Sequence, residues 1–457
     1  MRPTREFLLP LVAAAVLAVV WVLPAHVDAE RAPHAVKVTQ SAYSCPIVGG
    51  TTVVAGRLAA HPGSKATATA LPSGEAVKRL VSSNSWVDSP VEGDALLAMT
   101  TDAKGAGPVG FTGGVATKKD GGGLSVGSCP GVVQDAWYLG AGSGAKHLTT
   151  VTLTNLSDSP AVADISMWGD HGPVDAVNAD GIVLESFQTR RITLESLAAG
   201  EPDLAVRVQS RRGALSAAVR DTSTAVFGGT EPISSTLSPT RHQVIPGIAG
   251  GAGSKQLLLL NPGRTTARVR VEALGKDGAL VPTGLDDVKV GAGRTISLDL
   301  PKSAGNDPLA LRLTSDYPLS GSVRTAESNK DYTYAVAGPV LDGPAIVPVS
   351  IKGVVKDATL VLTAPKKSAT VTVTAYDSKM RKQGDTTLAL KADTTGTIDL
   401  GKAKLFDVPS GDIAYVVVTS AGSVEGAAVY ANGKGRSAMP LSPAPLKTLA
   451  PDVRSGH

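Results

Sequence analysis

Histidine is the side chain most often recruited to catalytic and metal centres, and its seven copies in this chain do not cluster. His26, His34, His61, His147, His171, His242 and His457 form no pair at the spacing that brings two imidazoles to one ion. There is no His-Glu-x-x-His and no Asp-x-Asp-x-Asp-Gly calcium loop. The runs Gly140-Ala141-Gly142-Ser143-Gly144 and Gly250-Gly251-Ala252-Gly253-Ser254 open strand patterns and lack a following Gly-Lys-Ser/Thr, so a phosphate-cradling loop is not expected. Asp170 and His171, in Trp168-Gly169-Asp170-His171-Gly172, come nearest to a catalytic cluster and read as a surface turn after a strand. The expectation is a protein that is not an enzyme, with no catalytic, cofactor-binding or metal-ligating residue and no cofactor. A deep pocket with paired carboxylates at a domain junction would revive an enzymatic reading.

Two constellations suit binding instead. Arg207 and Arg220 fall on the outward face of one expected hairpin, and Arg312 and Arg324 repeat that placement. Arg190, Arg191, Arg211, Arg212, Arg268 and Arg270 add to these faces. Like charges on adjacent strands repel unless an anion lies between them. The functional reading is a basic face for anionic envelope polymer, lipid headgroups or an acidic partner protein. The preferred reading is a solvated strand surface paired with local acids such as Asp164, Glu272 and Asp299. The second constellation is a large residue closing the alternating strand of each repeat, Trp168, Leu274 and Tyr376, on the outward parity. It caps a neighbouring loop or domain junction, or in the sharper reading stacks on a sugar or contacts a protein.

The elements that carry these residues recur with a period of about 100 residues. A strand pair comes first: Thr150–Asn155 with Ala161–Met167, Gln256–Asn261 with Ala267–Val271, Thr359–Thr363 with Thr370–Thr374. Val269, Val271 and Ala273 alternate with Arg268, Arg270 and Glu272, the pattern of a half-buried strand. A short strand around Ile192, Ile296 and Ile398 follows. Last comes an expected hairpin, joining 205–208 to 218–220, 310–313 to 322–324 and 415–418 to 428–430. About seven short strands per unit predict an all-β fold of tandem immunoglobulin-like β-sandwich domains. Residues 41–133 read as a divergent first unit that lacks clear middle strands. With no linker longer than about ten residues, closely abutting domains are expected. A propeller-like closure is set aside because a blade needs only ~40–50 residues.

The composition agrees: 50 Gly, 30 Pro and only 18% charged residues favour strands and turns. A net charge of +4 over 457 residues implies no nucleic-acid partner. Arg2 and Arg5 precede an apolar run from Phe7 to Leu23, an export signal. Cleavage before Glu30 and retention as an N-terminal hydrophobic helix, anchoring the chain to the membrane, both remain open. Cys45 and Cys129, each in Ser-Cys-Pro, are expected to form a disulfide closing a loop of about 84 residues.

Together, the Arg-flanked apolar segment, Ser-Cys-Pro near residue 45, Ser128-Cys129-Pro130 followed by Ala136-Trp137-Tyr138-Leu139-Gly140, and Leu259-Leu260-Asn261-Pro262-Gly263 resemble an actinobacterial family of exported proteins of unknown function, numbered five-seven-one-nine. The resemblance brings no activity or catalytic residues and implies a secreted or surface protein of the cell envelope. The expected organisation is a signal or anchor over 1–29, a divergent disulfide-bonded β domain over 30–133, sandwich repeats over 134–240 and 241–343, and a third with a Pro-rich tail over 344–457. The expected role is an extracytoplasmic scaffold or adaptor, partnered by an envelope protein or anionic envelope polymer. The alternative is a binding module for anionic or carbohydrate envelope polymer through outward Arg faces, with Arg207, Arg220, Arg312, Arg324 and Trp168 as its candidate ligand-binding residues.

Overall fold

The computed structural model describes residues 34–37, 40–45, 52–56, 65–70, 86–90, 95–100, 107, 109–117, 122–145, 147–223, 228–251, 253–326, 331–402, 405–406 and 413–450. The expected N-terminal hydrophobic segment lies outside them. No helix among the described residues is long and apolar enough to cross a membrane. Near the two ends, β1 (His34–Lys37) pairs antiparallel with β35 (Lys447–Ala450) and forms a unit of its own.

Residues 38–446 form the larger unit. It is built from four modules, each with an axial and a flank sheet. In module 1 the axial sheet runs β5 (Val87–Pro90), β3 (Thr52–Gly56), β7 (Val109–Val115), β8 (Leu124–Ser128). Its flank sheet runs β2 (Gln40–Cys45), β6 (Ala95–Thr100), β4 (Lys65–Ala70). Module 2 repeats the order with axial β15 (Thr189–Thr193), β11 (His147–Asn155), β17 (Leu215–Ser223), β18 (Gly229–Ile233). A short β10 (Ser143–Gly144) also pairs with β11. The flank strands are β9 (Asp135–Ala141), β16 (Leu204–Arg212), β12 (Ala161–Gly169), with β13 (Gly172–Val174) and β14 (Ile182–Leu184) on β12. Module 3 has axial β24 (Arg294–Asp299), β20 (Lys255–Asn261), the second half of β25 (Leu309–Ala326), β26 (Tyr332–Val336). Its flank sheet holds β19 (Thr240–Ile248), the first half of β25, β21 (Ala267–Gly275), with β22 (Gly278–Leu280) and β23 (Val288–Val290) on β21. Module 4 has axial β31 (Thr394–Asp399), β28 (Thr359–Ala364), β33 (Glu425–Asn432), β34 (Gly435–Pro440). Its flank sheet is β27 (Ala345–Pro348), β32 (Tyr415–Ala421), β29 (Ala369–Tyr376), β30 (Lys382–Leu390).

The two sheets of a module share one core. In module 2, Val151, Leu153 and Val219 of the axial sheet meet Ile165, Met167 and Val206 of the flank sheet, all buried. A buried asparagine ends the first long axial strand in modules 2 and 3. Asn155 Nδ2 donates to the carbonyls of Ser159 (2.7 Å) and Glu185 (3.0 Å), and its Oδ1 accepts from the Ser157 N–H (3.0 Å). Asn261 makes the equivalent bonds to Thr265 (2.8 Å), Gly291 (3.2 Å) and the Gly263 N–H (3.0 Å). One amide thereby satisfies backbone groups that the turn would otherwise leave unpaired.

Three expectations need correction. The closing strand pairs are not hairpins within one sheet. β16 and β17 lie in different sheets, as do β32 and β33, and in module 3 a single 18-residue strand, β25, crosses between sheets. The reason is that β16 and β32 are central strands with both edges already paired, so the following strand must cross to the other layer. Module 1 does not lack its middle strands: β3 and β4 occupy the positions of β11 and β12.

The modules also do not run in an open row. Each flank sheet packs against the axial sheet of the next module, and the fourth returns to the first. Trp137, Leu139, Ala205 and Trp168 of module 2 pack on Leu260 of module 3. The Leu274 carbonyl of module 3 accepts from Thr395 Oγ1 of module 4 at 2.7 Å. Tyr415 of module 4 stacks on Trp86 of module 1 (4.5 Å). Ser44 of module 1 bonds Ser216 of module 2 (3.1 Å). Closure is possible because each blade is a whole two-sheet module rather than one small sheet.

Candidate functional site

Closure brings β8, β18, β26 and β34, the last strand of each module, together around one axis. The axis is polar. Ser125 Oγ donates to the Thr230 carbonyl (2.6 Å), and Ser437 Oγ accepts from the Val126 N–H (2.9 Å). Glu231 Oε1 accepts from Ser437 (2.9 Å) and is wholly buried. Burial, then the nearby Asp331 charge, hold the Glu231 carboxyl well above the usual range, against hydrogen bonds from Ser437 and Ala438. Asp331 Oδ2 accepts from the Arg436 N–H (2.8 Å), and Gly123, Gly229 and Gly435 crowd its carboxylate. A Cβ at Gly435 would lie 1.9 Å from Asp331 Oδ2, so side chains there would displace the carboxylate.

Beside the axis, buried Asp221 accepts from His147 Nε2 (2.6 Å), Thr149 Oγ1 (2.8 Å), Tyr332 OH (2.8 Å) and Tyr334 OH (3.1 Å). The two tyrosines come from module 3, so this hub ties two modules together. His147 looks at first like half of a catalytic dyad. Its other nitrogen, Nδ1, faces the Pro202 carbonyl at 2.9 Å. Both ring nitrogens therefore point at acceptors, which suits an imidazolium donating twice and leaves no lone pair for a base. Burial opposes the charge, but the Asp221 hydrogen bond and charge with the Pro202 carbonyl raise the His147 pKa above its ordinary value.

These groups set a pH dependence. His147 and Glu231 are raised, and burial pushes Glu425 up to about 8. Each binds its proton more tightly when folded, so each favours the fold at low pH. The His147 contribution is complete below about 6.5 and fades as pH rises through the raised value. The two glutamates lose theirs as pH climbs above about 4.3, Glu425 through about 8. The melting temperature is expected to fall between pH 5 and pH 9. Glu231→Gln and Glu425→Gln should each flatten the slope. A melting temperature that rises over that window, or glutamine variants with the wild-type slope, would contradict the assignment.

At the C-terminal ends of the axial strands the axis opens into a cleft of about 310 Å³. Pro130, Pro232, Pro339 and Pro440, each at or near the C-terminal end of the last axial strand of its module, contribute to its wall. Arg191 of β15 and Arg220 of β17 line one side. No carboxylate, imidazole or thiol lines it among the described residues. Motif reading overlooks one spacing, Gly123-Leu124-Ser125-Val126-Gly127, which matches the Gly-x-Ser-x-Gly elbow. Ser125 nevertheless sits within strand β8, not on a strand-to-helix turn, and its hydroxyl is bound to Thr230. The cleft can bind; its lining offers no general base.

The residues singled out in the sequence disperse. Arg207 makes a bidentate pair with Asp135 (2.7 and 3.0 Å) and lies 5.0 Å over the Trp137 ring. Arg312 bonds Glu272 (2.8 Å), Asp393 and the Pro365 carbonyl (2.6 Å), joining modules 3 and 4. Arg324 pairs with Asp203 (3.3 Å) and Gln256. Arg211 pairs with Asp164, an acid the sequence had offered. Only Arg220 of the four lines the cleft. Trp168 stacks on Trp137 (5.3 Å) at the junction of modules 2 and 3, and Tyr376 on Tyr415 (5.1 Å) beside the junction of modules 4 and 1. Asp170 and His171 are 3.7 Å apart and mostly exposed, on the expected turn. Cys45 and Cys129 are disulfide-bonded. Among the described residues no group of three or more His, Cys, Asp or Glu is placed to hold a metal ion.

The cleft was missed because its signal is a proline recurring with the repeat, which turn chemistry alone explains equally well. No curated protein is similar enough to the chain to match it. A family model does match, over residues 87–401, and the chain belongs to the family it describes, Family of unknown function (DUF5719).

Proposed function

We propose that the protein is an exported, non-enzymatic scaffold or adaptor of the cell envelope, in which four immunoglobulin-like β-sandwiches close into a ring. The module boundaries fall near residues 134, 241 and 344. The observation that carries this reading is the head-to-tail burial of flank sheet on axial sheet around the whole larger unit. Such closure resists relative module motion and presents fixed outer loops, which suits a platform for partners. The Cys45–Cys129 disulfide fits an oxidising exterior compartment. Its partner on this reading is an envelope protein.

The test is surface labelling of intact cells with a membrane-impermeant amine reagent, followed by crosslinking and mass spectrometry. The chain should be labelled without lysis and should crosslink reproducibly to an envelope component. Labelling only after lysis would contradict the exterior assignment, and a chain that never crosslinks would contradict the adaptor role.

A further inference from the structure

We propose that the axial cleft is a binding site for a small amphipathic anion, a carboxylate or phosphate monoester attached to an apolar body. Its volume, about 310 Å³, lies at the lower end of the ~300–1,000 Å³ range of small-molecule sites. The apolar part of the lining includes Pro130, Pro232, Pro339 and Pro440. The polar side chains are hydroxyls of Ser, Thr and Tyr138 and two guanidiniums, Arg191 and Arg220, with no carboxylate among the described lining residues. Both arginines also take part in further interactions within the protein. Guanidinium favours carboxylate and phosphate through charge-assisted, fork-like hydrogen bonds. The prolines would take the apolar body of the ligand, and the hydroxyls would solvate the anionic end.

The position matters as much as the lining. The wall draws on all four modules: Gly127 from the first, Ile233 from the second, Pro339 from the third and Pro440 from the fourth. The Ser128–Pro130 segment is fixed by the Cys45–Cys129 disulfide and by the hydrogen bond from the Ser44 N–H to the Pro130 carbonyl (3.0 Å). Ser216 Oγ donates to the same carbonyl (3.0 Å). A ligand here contacts the ring closure itself, so its binding energy adds to the stability of the closed state. The site stands whether or not the chain is exported.

The experiment is calorimetric titration of the purified full chain with hexyl phosphate, hexanoate and hexanol. One saturable site is expected for at least one anion, with hexanol weaker by roughly tenfold or more. Comparing hexyl phosphate with hexanoate identifies which head group is preferred. Arg220→Gln and Arg191→Gln should each weaken the better anion by about tenfold, and the wild-type affinity should fall with added salt. Gly127→Val should abolish binding. A Cβ at Gly127 meets only Pro232, at 3.6 Å, so the fold accepts a side chain that then fills the cleft. Each variant is checked against the wild-type melting curve. The comparison of anion with hexanol on the wild type needs no variant. No saturable binding of either anion, equal binding of hexanol, or full binding by folded Gly127→Val would overturn the proposal.

Discussion

Replacing Trp86 with alanine is expected to cost about 3–5 kcal/mol, the usual loss for a buried tryptophan or phenylalanine. Trp86 is 5% exposed and stands where the ring closes. Its indole stacks on Tyr415 at 4.5 Å, and Tyr415 in turn stacks on Tyr376 at 5.1 Å. Its backbone N–H donates to the Ser378 carbonyl of module 4 at 2.9 Å. Truncation leaves a cavity between modules 1 and 4 that neither can fill, because the neighbouring rings are held in their own sheets. Urea denaturation should show the loss, and limited proteolysis should show faster cutting near the first module. A change below about 1 kcal/mol would mean that this contact does not hold the ring closed.

Removing the disulfide with Cys45→Ser and Cys129→Ser should cost a similar amount. The bond spans 84 residues, and the chain-entropy model gives roughly 4–5 kcal/mol for a loop of that length. It joins the end of β2 in the flank sheet to the residue after β8 in the axial sheet. The effect should therefore concentrate in module 1 and in the cleft wall at Pro130. Comparing the double variant with the reduced and oxidised wild type separates the bond from the side-chain change. Equal stability of oxidised and reduced wild type would refute the expected contribution.

Much of the architecture is legible in the residues. The repeat, the disulfide, the all-β character and the strands carrying Val269 and Ile296 follow from alternation, turn residues and cysteine count. Closure is legible too, in strands that are apolar on both faces. Leu257, Leu258, Leu259 and Leu260 form an unbroken apolar run, the mark of a strand buried on both faces. Trp137-Tyr138-Leu139 reads the same way. In a free sandwich one face of each strand would be polar, so these runs call for a neighbour on the outer side. Trp168, Leu274 and Tyr376 share the outward parity, and these are residues packed at or beside the junctions.

The site was less legible for a physical reason. The arginines lie on parities that alternate correctly, but alternation does not say which sheet a strand joins. Once β16 and β17 separate, Arg207 and Arg220 no longer share a face. The axial cluster of Asp221, Glu231 and Asp331 has no motif at all. Asp221 and Glu231 are cross-strand neighbours on β17 and β18, and Asp331, just before β26, joins them only because the modules close. In the sequence Asp221 and Glu231 are ordinary polar positions on strands, and their burial comes with partners from other modules, Tyr332 and Tyr334 for Asp221 and Ser437 for Glu231.

The central claim is closure, and the distance between modules 1 and 4 tests it most directly. Spin labels at Asp88→Cys and Lys352→Cys sit on either side of that junction, where the Lys352 N–H donates to Asp88 Oδ2 at 3.2 Å. Pulsed electron resonance on the closed ring should give one narrow label distance below about 25 Å. An open row of modules puts two further modules of about 100 residues, each of radius of gyration ~13 Å, between the labels. A broad distribution centred beyond about 50 Å would contradict the ring.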